Sequence, residues 1–257
     1  GTTFTWAARA FGTKVGWMGG WGIIVADVIV MSNLAYVAGS YSFSMFGLQS
    51  LADNTWASTI AGIVWIVVMT YICYRGIEVS ARLQYALLGF EVVTLFFFTA
   101  FALIKVITGG TEAGHLTPSL SWFSPAGISI SALSSALLIA AFIYWGWDTA
   151  VTTNEEADDP ATTPGKAAIL STVLLLLTYA LVSVATIAFA GVGTDGIGLG
   201  NEDNADDVFA AMGTEVFGGG VIGVIMIKML IFSVLTSASA STQTTIMPAS
   251  RTWLSMA

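Results

Sequence analysis

The sequence predicts an all-α integral membrane protein with six transmembrane helices, one of which is broken. Three observations predict this class. The 257 residues are 56% hydrophobic and only 9% charged, whereas water-soluble domains carry about 25% charged residues. Six apolar runs approach or exceed the roughly 20 residues that a membrane helix needs. One run contains a glycine followed closely by an acid, a poor pattern for a continuous membrane helix.

The six apolar runs are the candidate spans, numbered one to six along the chain. Lipid offers the backbone no hydrogen-bond partner, so each span should be helical, and the runs are too long and too uniform for barrel strands. Their predicted bounds are Val15–Ala38, Ala57–Tyr74, Leu83–Ile107, Gly127–Trp147, Ala167–Ala190 and Val216–Ser237. Outside them, an interfacial helix is predicted in Gly1–Gly12 and a short surface helix over Asp207–Thr214.

The basic residues predict the orientation of the spans. Loops 39–56, 108–125 and 191–215 contain no Lys or Arg, whereas the segments at the opposite ends contain six. By the positive-inside rule, both Gly1 and Ala257 should be cytoplasmic in the cell membrane. The six basic residues are Arg9, Lys14, Arg75, Arg82, Lys166 and Arg251.

Composition also disfavours several functions. A net charge of −8 argues against a nucleic-acid partner. The only cysteine is Cys73, so an internal disulfide and a thiolate metal cluster are unavailable. The only histidine, His115, lies in a predicted outer loop, which argues against a His-based triad or a His metal cluster within the chain. We therefore predict no enzyme, no metal and no cofactor. The chain starts within the pattern, without a signal peptide, and is interpreted as a fragment.

Two acids lie inside apolar spans: Asp27 in span one and Glu91 in span three. An acid at the bilayer centre costs about 2.5–3.5 kcal/mol, so both should face the protein interior. Asp27 either meets a cation or a proton, or only accepts hydrogen bonds in packing. Glu91 is either a proton or ion site, or a protonated structural acid.

Span four carries the most informative pattern. Residues 142–150 read FIYWGWDTA, with Gly146 between two tryptophans and an acid two residues later. Broken helices at mid-membrane form binding sites in transporters. The alternative is an aromatic belt where the helix leaves the membrane. The hydroxyl-rich residues 236–245 either pack helices closely or line a polar path.

At span four the sequence resembles the amino acid–polyamine–organocation permeases. Residues 142–164 resemble that family's sixth helix and the loop after it. Residues 1–12 resemble the loop before its third helix, and residues 241–257 resemble the end of its eighth. The resemblance covers essentially the whole chain, and its motifs follow the family's order.

The resemblance implies that spans one to six are family helices three to eight. The fold would be a partial leucine-transporter-type inverted repeat with a broken helix around Gly146. Residues 1–125 would then contain the interfacial segment and the end of the first repeat. Residues 126–257 would start the second repeat, with an acidic outer loop.

The resemblance also implies site residues. Glu91 falls where some relatives place a lysine at an ion site, and Ser237 and Ser241 resemble hydroxyls near it, so H+ is the expected coupling ion and Na+ the alternative. Phe142 falls at the position of an aromatic gate. The implied substrate-binding residues are Asp27, Met31, Phe142, Tyr144, Trp145, Gly146, Trp147 and Asp148.

Together these features predict secondary active transport of an amino acid or related amine across the plasma membrane, by proton coupling and alternating access. The expected partners are a small-molecule substrate, the coupling ion and the lipid bilayer. Two alternatives stay open. One is an exchanger without proton coupling. The other is a non-transporting scaffold or channel, which would have a continuous span four.

Overall fold

The computed structural model describes residues 1–109, 115–146, 148–152, 154–204 and 207–257. Within these ranges the regular structure is helical, with short 3-10 turns at Leu120–Phe123, Asn154–Glu156 and Glu202–Asn204. The α-helices are α1 (Thr3–Phe11), α2 (Thr13–Met45), α3 (Gln49–Ala52), α4 (Thr55–Tyr74), α5 (Ile77–Thr108), α6 (Ile130–Ile143), α7 (Asp148–Thr152), α8 (Thr163–Ala190), α9 (Val208–Phe217) and α10 (Gly220–Met256).

Five of the described helices are long and apolar enough to cross a membrane: α2, α4, α5, α8 and α10. They correspond to predicted spans one, two, three, five and six, and the described residues are therefore consistent with the predicted helical, multi-pass membrane protein. Predicted span four instead contains α6, which has 14 residues and is shorter than the roughly 20 that cross a bilayer. The count of six spans stays a prediction.

Helix α6 ends at Ile143, and the backbone turns through residues 144–146. Gly146 has a φ of +102°, a conformation that residues with a Cβ rarely adopt. The chain returns to helical geometry in α7, whose first residue is Asp148. Trp147 lies outside the described residues.

The predicted start of span six at Val216 is wrong. Val216 is a buried residue of α9, and Gly218 and Gly220, with φ of +72° and +90°, separate α9 from α10. Helix α10 then continues to Met256, well beyond the predicted end at Ser237. The hydroxyl-rich segment is helical, and several of its side chains donate to carbonyls of the preceding turn, as Thr242 does to the carbonyl of Ala238.

The chain divides into two compact units. The first contains residues 1–91, 146–172 and 232–257, and the second contains residues 92–145 and 173–231. In the second unit, Phe98 is fully buried against Phe209, with ring centroids 5.1 Å apart. In the same unit, Lys105 donates to the carbonyl of Glu215 at 2.7 Å. The predicted repeat boundary after residue 125 stays a prediction.

Helices α2 and α4 of the first unit are in contact at two glycines, Gly39 of α2 and Gly62 of α4. A Cβ on Gly39 would lie 2.0 Å from the carbonyl oxygen of Ser58, and one on Gly62 would lie 2.5 Å from that of Ala35. The two backbones therefore touch directly, as small residues permit in membrane proteins. This contact holds α2, which carries Asp27, against its neighbour.

Candidate functional site

The end of α6 is capped by an aromatic side chain of the second unit. Tyr179 of α8 donates its hydroxyl to the carbonyl of Ile143 at 3.2 Å, and its ring meets Tyr144 edge-on. The last carbonyls of a helix have no partner inside the helix, so Tyr179 satisfies one of them. Phe142 and Trp145 keep 59% and 37% of their surface exposed within the structure.

On the other side of the break, the chain re-enters a helix within one turn. The amide of Thr149 donates to the carbonyl of Gly146 at 3.2 Å. Helix α7 then runs for five residues. The side chain of Asp148, one of the predicted binding residues, is outside the described part of the structure, as is Trp147.

Asp27 lies on the buried stripe of α2 in the first unit. Its side chain is almost fully buried, with 2% exposure. Gly20 and Ile24 precede it on this stripe, and the half-buried Met31 follows one turn later. The spacing of these residues matches one face of an α-helix. An intramembrane acid on such a face is directed towards protein rather than lipid.

Glu91 and Ser237, both predicted as coupling residues, are in contact in the first unit. Ser237 of α10 donates its hydroxyl to Oε1 of Glu91 on α5 at 3.1 Å. Both residues are half-buried. Ser241 lies one turn further along α10, and no hydrogen bond joins it to Glu91 in the part of the chain that is described.

Sequence reasoning missed a buried polar network between the same helices. Gln84 on α5 donates to Oε1 of Gln243 and to the carbonyl of Ala240, each at 3.0 Å. Gln243 is fully buried and donates to the hydroxyl of Ser80. The thiol of Cys73 on α4 contacts the carbonyl of Gln243 at 3.9 Å. These bonds join α4, α5 and α10.

The network and the Glu91–Ser237 pair form one polar seam between α5 and α10. We define the seam by Ser80, Gln84 and Glu91 on α5, and by Ser237 and Gln243 on α10. Residue numbers rise along α5 as those of their partners fall along α10, so the two helices are antiparallel here. The seam places one ionisable carboxyl beside a row of neutral hydrogen-bonded groups, an arrangement suited to holding a proton or a small cation.

A second group of contacts lies at the C-terminal end of α10, also in the first unit. Arg251 donates to the carbonyl of Thr152 at 3.1 Å and pairs with Glu156 at 2.5 Å. Beside them is a cavity of about 620 Å³ whose lining includes Thr5, Arg9 and Ser255. From the sequence, Arg251 was placed only in a predicted cytoplasmic segment, because its partners lie about 100 residues away along the chain.

The described residues contain no group of three or more His, Cys, Asp or Glu side chains able to hold a metal ion. The seam itself offers the carboxyl of Glu91, the amides of Gln84 and Gln243, and the hydroxyls of Ser80 and Ser237. These groups bind and release protons or form hydrogen bonds with polar ligands.

Comparison with known proteins places these features in a family. The model of the amino acid permease family matches residues 1–251. The chain belongs to this family. The resemblance found in the sequence is confirmed. The family and the printed names of the relatives, which are transporters and an antiporter, indicate a transporter rather than an enzyme.

Several curated relatives match the permease chain over part of their length. Uncharacterized transporters of Mycobacterium tuberculosis and Mycobacterium bovis are 28% identical to it over 195 residues, which are 74% of this chain and 39% of each relative. An arginine/ornithine antiporter of Latilactobacillus sakei is 26% identical over 190 residues, 70% of this chain and 38% of the relative. The chain thus spans about two fifths of the length of the curated relatives it matches. No solved structure matches it.

Proposed function

We propose that this permease takes part in secondary active transport of amino acids or related amines, coupled to H+ through Glu91. The observation that carries the proposal is the contact between the Glu91 carboxyl and the Ser237 hydroxyl. A hydroxyl can donate to a carboxylate and accept from a carboxylic acid. The pair therefore keeps a hydrogen bond in both protonation states, as a carboxyl that loads and releases a proton in each cycle requires.

The proposed substrate site is the break around Gly146. A helix break in the membrane presents peptide dipoles to a charged substrate, and the positive φ of Gly146 and the end of α6 at Ile143 support such a break here. The aromatic residues Phe142, Tyr144, Trp145 and Trp147 would cover the substrate. Acidic groups for an amine are proposed at Asp27 and Asp148, with Met31 in the lining.

The wider proposal follows from the family. It comprises a leucine-transporter-type inverted repeat that alternates between outward and inward access in the cell membrane. Both ends of the described chain would be cytoplasmic, which the distribution of Lys and Arg supports. An acid at Glu91, rather than the lysine of some relatives, supports H+ over Na+ as the coupling ion.

The substitution Glu91→Gln tests proton coupling, because it removes the titrating group and keeps nearly the same shape. Uptake of radiolabelled arginine is measured in proteoliposomes over external pH 5.5 to 8, with and without sodium. We expect wild-type uptake to rise as external pH falls. The stimulation of uptake by low pH should be at least about fivefold smaller in the variant, which corresponds to a loss of roughly 1 kcal/mol of coupling free energy.

The matched control is Glu78→Gln, a highly exposed acid at the start of the same helix. It should leave the pH profile unchanged. Full pH stimulation in Glu91→Gln would overturn the proton role. Uptake that requires sodium and ignores pH would assign the coupling to Na+ instead.

Exchange without proton coupling is the second candidate, because one relative is named an arginine/ornithine antiporter. Exchange predicts that arginine uptake requires ornithine or another amino acid inside the vesicles and ignores an imposed pH gradient. Proton symport predicts uptake into empty vesicles driven by that gradient. A non-transporting scaffold or channel predicts neither response.

A further inference from the structure

Helix α10 contains a proline, Pro248, and its helical path continues to Met256. Proline has no backbone N–H, so it cannot donate to the carbonyl four residues earlier, which is that of Thr244. Pro248 is fully buried, so water does not readily replace the lost bond. The sequence of α10 therefore creates a carbonyl acceptor that the helix itself does not satisfy.

The segment that follows the helix break supplies the missing donor. Thr149 of α7, three residues after Gly146, donates its hydroxyl to the carbonyl of Thr244 at 3.0 Å. The bond is partly buried, where an unsatisfied carbonyl is costly. The carbonyl freed by Pro248 is thus the point at which α7 attaches to α10.

Arg251, three residues after Pro248, makes a second attachment to the same segment. One of its terminal nitrogens donates to the carbonyl of Thr152 at the end of α7, and the other pairs with Glu156. The Arg251 side chain is 28% exposed. A planar guanidinium can donate in two directions at once, which a lysine ammonium on a flexible stem cannot do with the same geometry.

A five-residue helix does not hold its own conformation, because helix nucleation is unfavourable in short segments. Tertiary contacts must therefore fix the described residues of this segment, 148–152 and 154–156. The two attachments meet this need at both ends of the segment, through Thr149 near its start and through Thr152 and Glu156 near its end. What fixes this segment also fixes the backbone that leaves Gly146.

We propose that Pro248 and Arg251 are positioning residues that dock residues 148–152 and 154–156 onto α10, with Thr149 as the side chain that the docking site receives. The role in transport rests on the proposed function, in which the break at Gly146 binds substrate. The docking of this segment onto α10 does not depend on the proposed function. Docking and its role in transport are therefore tested by different measurements.

The first measurement compares Thr149→Val, which removes the hydroxyl at nearly constant shape, with Thr149→Ser, which keeps it. Net hydrogen bonds in proteins correspond to about 2- to 10-fold in an equilibrium constant. We expect Thr149→Val to speed hydrogen–deuterium exchange of the peptide 146–156 by about that factor in the purified protein, and Thr149→Ser to restore slow exchange.

The second measurement repeats this pair in a Pro248→Ala background. Alanine restores the N–H that bonds to the Thr244 carbonyl, so that carbonyl keeps a hydrogen-bond partner even when the Thr149 hydroxyl is removed. Thr149→Val should then add less than about twofold to the exchange rate. An effect of Thr149→Val that is equally large in both backgrounds would overturn the role of Pro248, and no effect in either would overturn the docking site. If Pro248→Ala fails to fold, the comparison of Thr149→Val with Thr149→Ser in the wild-type background still decides whether the docking site exists.

The third measurement is arginine uptake by the same variants. Thr149→Val and Arg251→Lys should raise KM by about 2- to 10-fold, with kcat less affected and with rescue by Thr149→Ser. The control is Arg82→Lys. Arg82 and its partner Glu78 both lie on α5, and both side chains are highly exposed, so this change should leave uptake unaffected. Faster exchange with unchanged uptake would support docking and contradict substrate binding at the break. Unchanged exchange in the Arg251 variant would remove Arg251 from the docking site.

Discussion

The contact between α2 and α4 depends on two residues that lack a side chain. Gly39 and Gly62 have ordinary helical backbones, so the requirement is for space rather than for an unusual φ. Any Cβ at Gly39 would overlap the backbone of Ser58, and the backbone of a helix cannot move aside as a flexible side chain does.

Gly39→Ala should therefore destabilise the protein by about 1–3 kcal/mol, the usual cost of overpacking. Gly22→Ala is the matched control on the same helix, because a Cβ there would meet nothing within 4 Å. The control should be neutral, or stabilising by up to about 1 kcal/mol. Thermal unfolding in detergent measures both, and equal melting temperatures for the two variants would contradict the contact.

Single residues also show what the sequence can and cannot predict about the site. Asp27 and Glu91 were identifiable because acids are rare in apolar spans. The partner of Glu91 was suggested only through the family resemblance, and the pairing of Gln84 with Gln243 was not predicted at all. Such pairs depend on the relative register of two helices, which packing determines and which local spacing does not report.

At the scale of helices, apolar length predicted five long spans well, but the ends of α9 and α10 less so. Val216 is apolar enough to join a span, yet the positive-φ glycines that follow it end α9 one residue later. Serine and threonine signal either a cap or a helix interior, because their hydroxyls can bond in both settings. In α10 they lie in the interior, and the run of apolar residues therefore ended before the helix did.

The break after α6 depends on the positive φ of Gly146. An alanine in such a conformation costs about 1–3 kcal/mol, so Gly146→Ala should shift the backbone and lower arginine uptake by about tenfold or more. The comparison is Gly89→Ala in α5, which has helical geometry and open space around its Cβ position. Normal uptake kinetics in Gly146→Ala would show that the break geometry is not needed for transport.

At the scale of the whole molecule, the proposed orientation of the helices in the membrane is argued from charge, because apolar length alone does not distinguish the two possible directions. The last predicted outer loop carries the acidic residues 195, 202, 203, 206, 207 and 215, and none of the three predicted outer loops contains Lys or Arg. The six basic residues at the opposite ends favour retention on the cytoplasmic side. The proposed number of membrane helices rests on apolar length, and the proposed orientation rests on the basic residues.

Thiol labelling tests this orientation in a background from which native cysteines are removed, and Cys73 is the only cysteine among the 257 residues, so Cys73→Ser is the change needed within them. In intact cells, a membrane-impermeant maleimide should label Thr194→Cys and should not label Ala81→Cys until the cells are permeabilised. Both positions are exposed. Labelling of Ala81→Cys but not Thr194→Cys in intact cells would reverse the proposed topology.

Substrate binding at the break is tested most directly by protection of a thiol placed there. The measurement is the rate of maleimide labelling of Tyr144→Cys in the Cys73→Ser background, with and without saturating arginine or whichever amino acid the vesicles take up. Ile169→Cys on α8, an exposed apolar position, is the reference. We expect substrate to slow labelling at residue 144 and to leave residue 169 unchanged; equal rates at residue 144 with and without a transported substrate would contradict the proposed site.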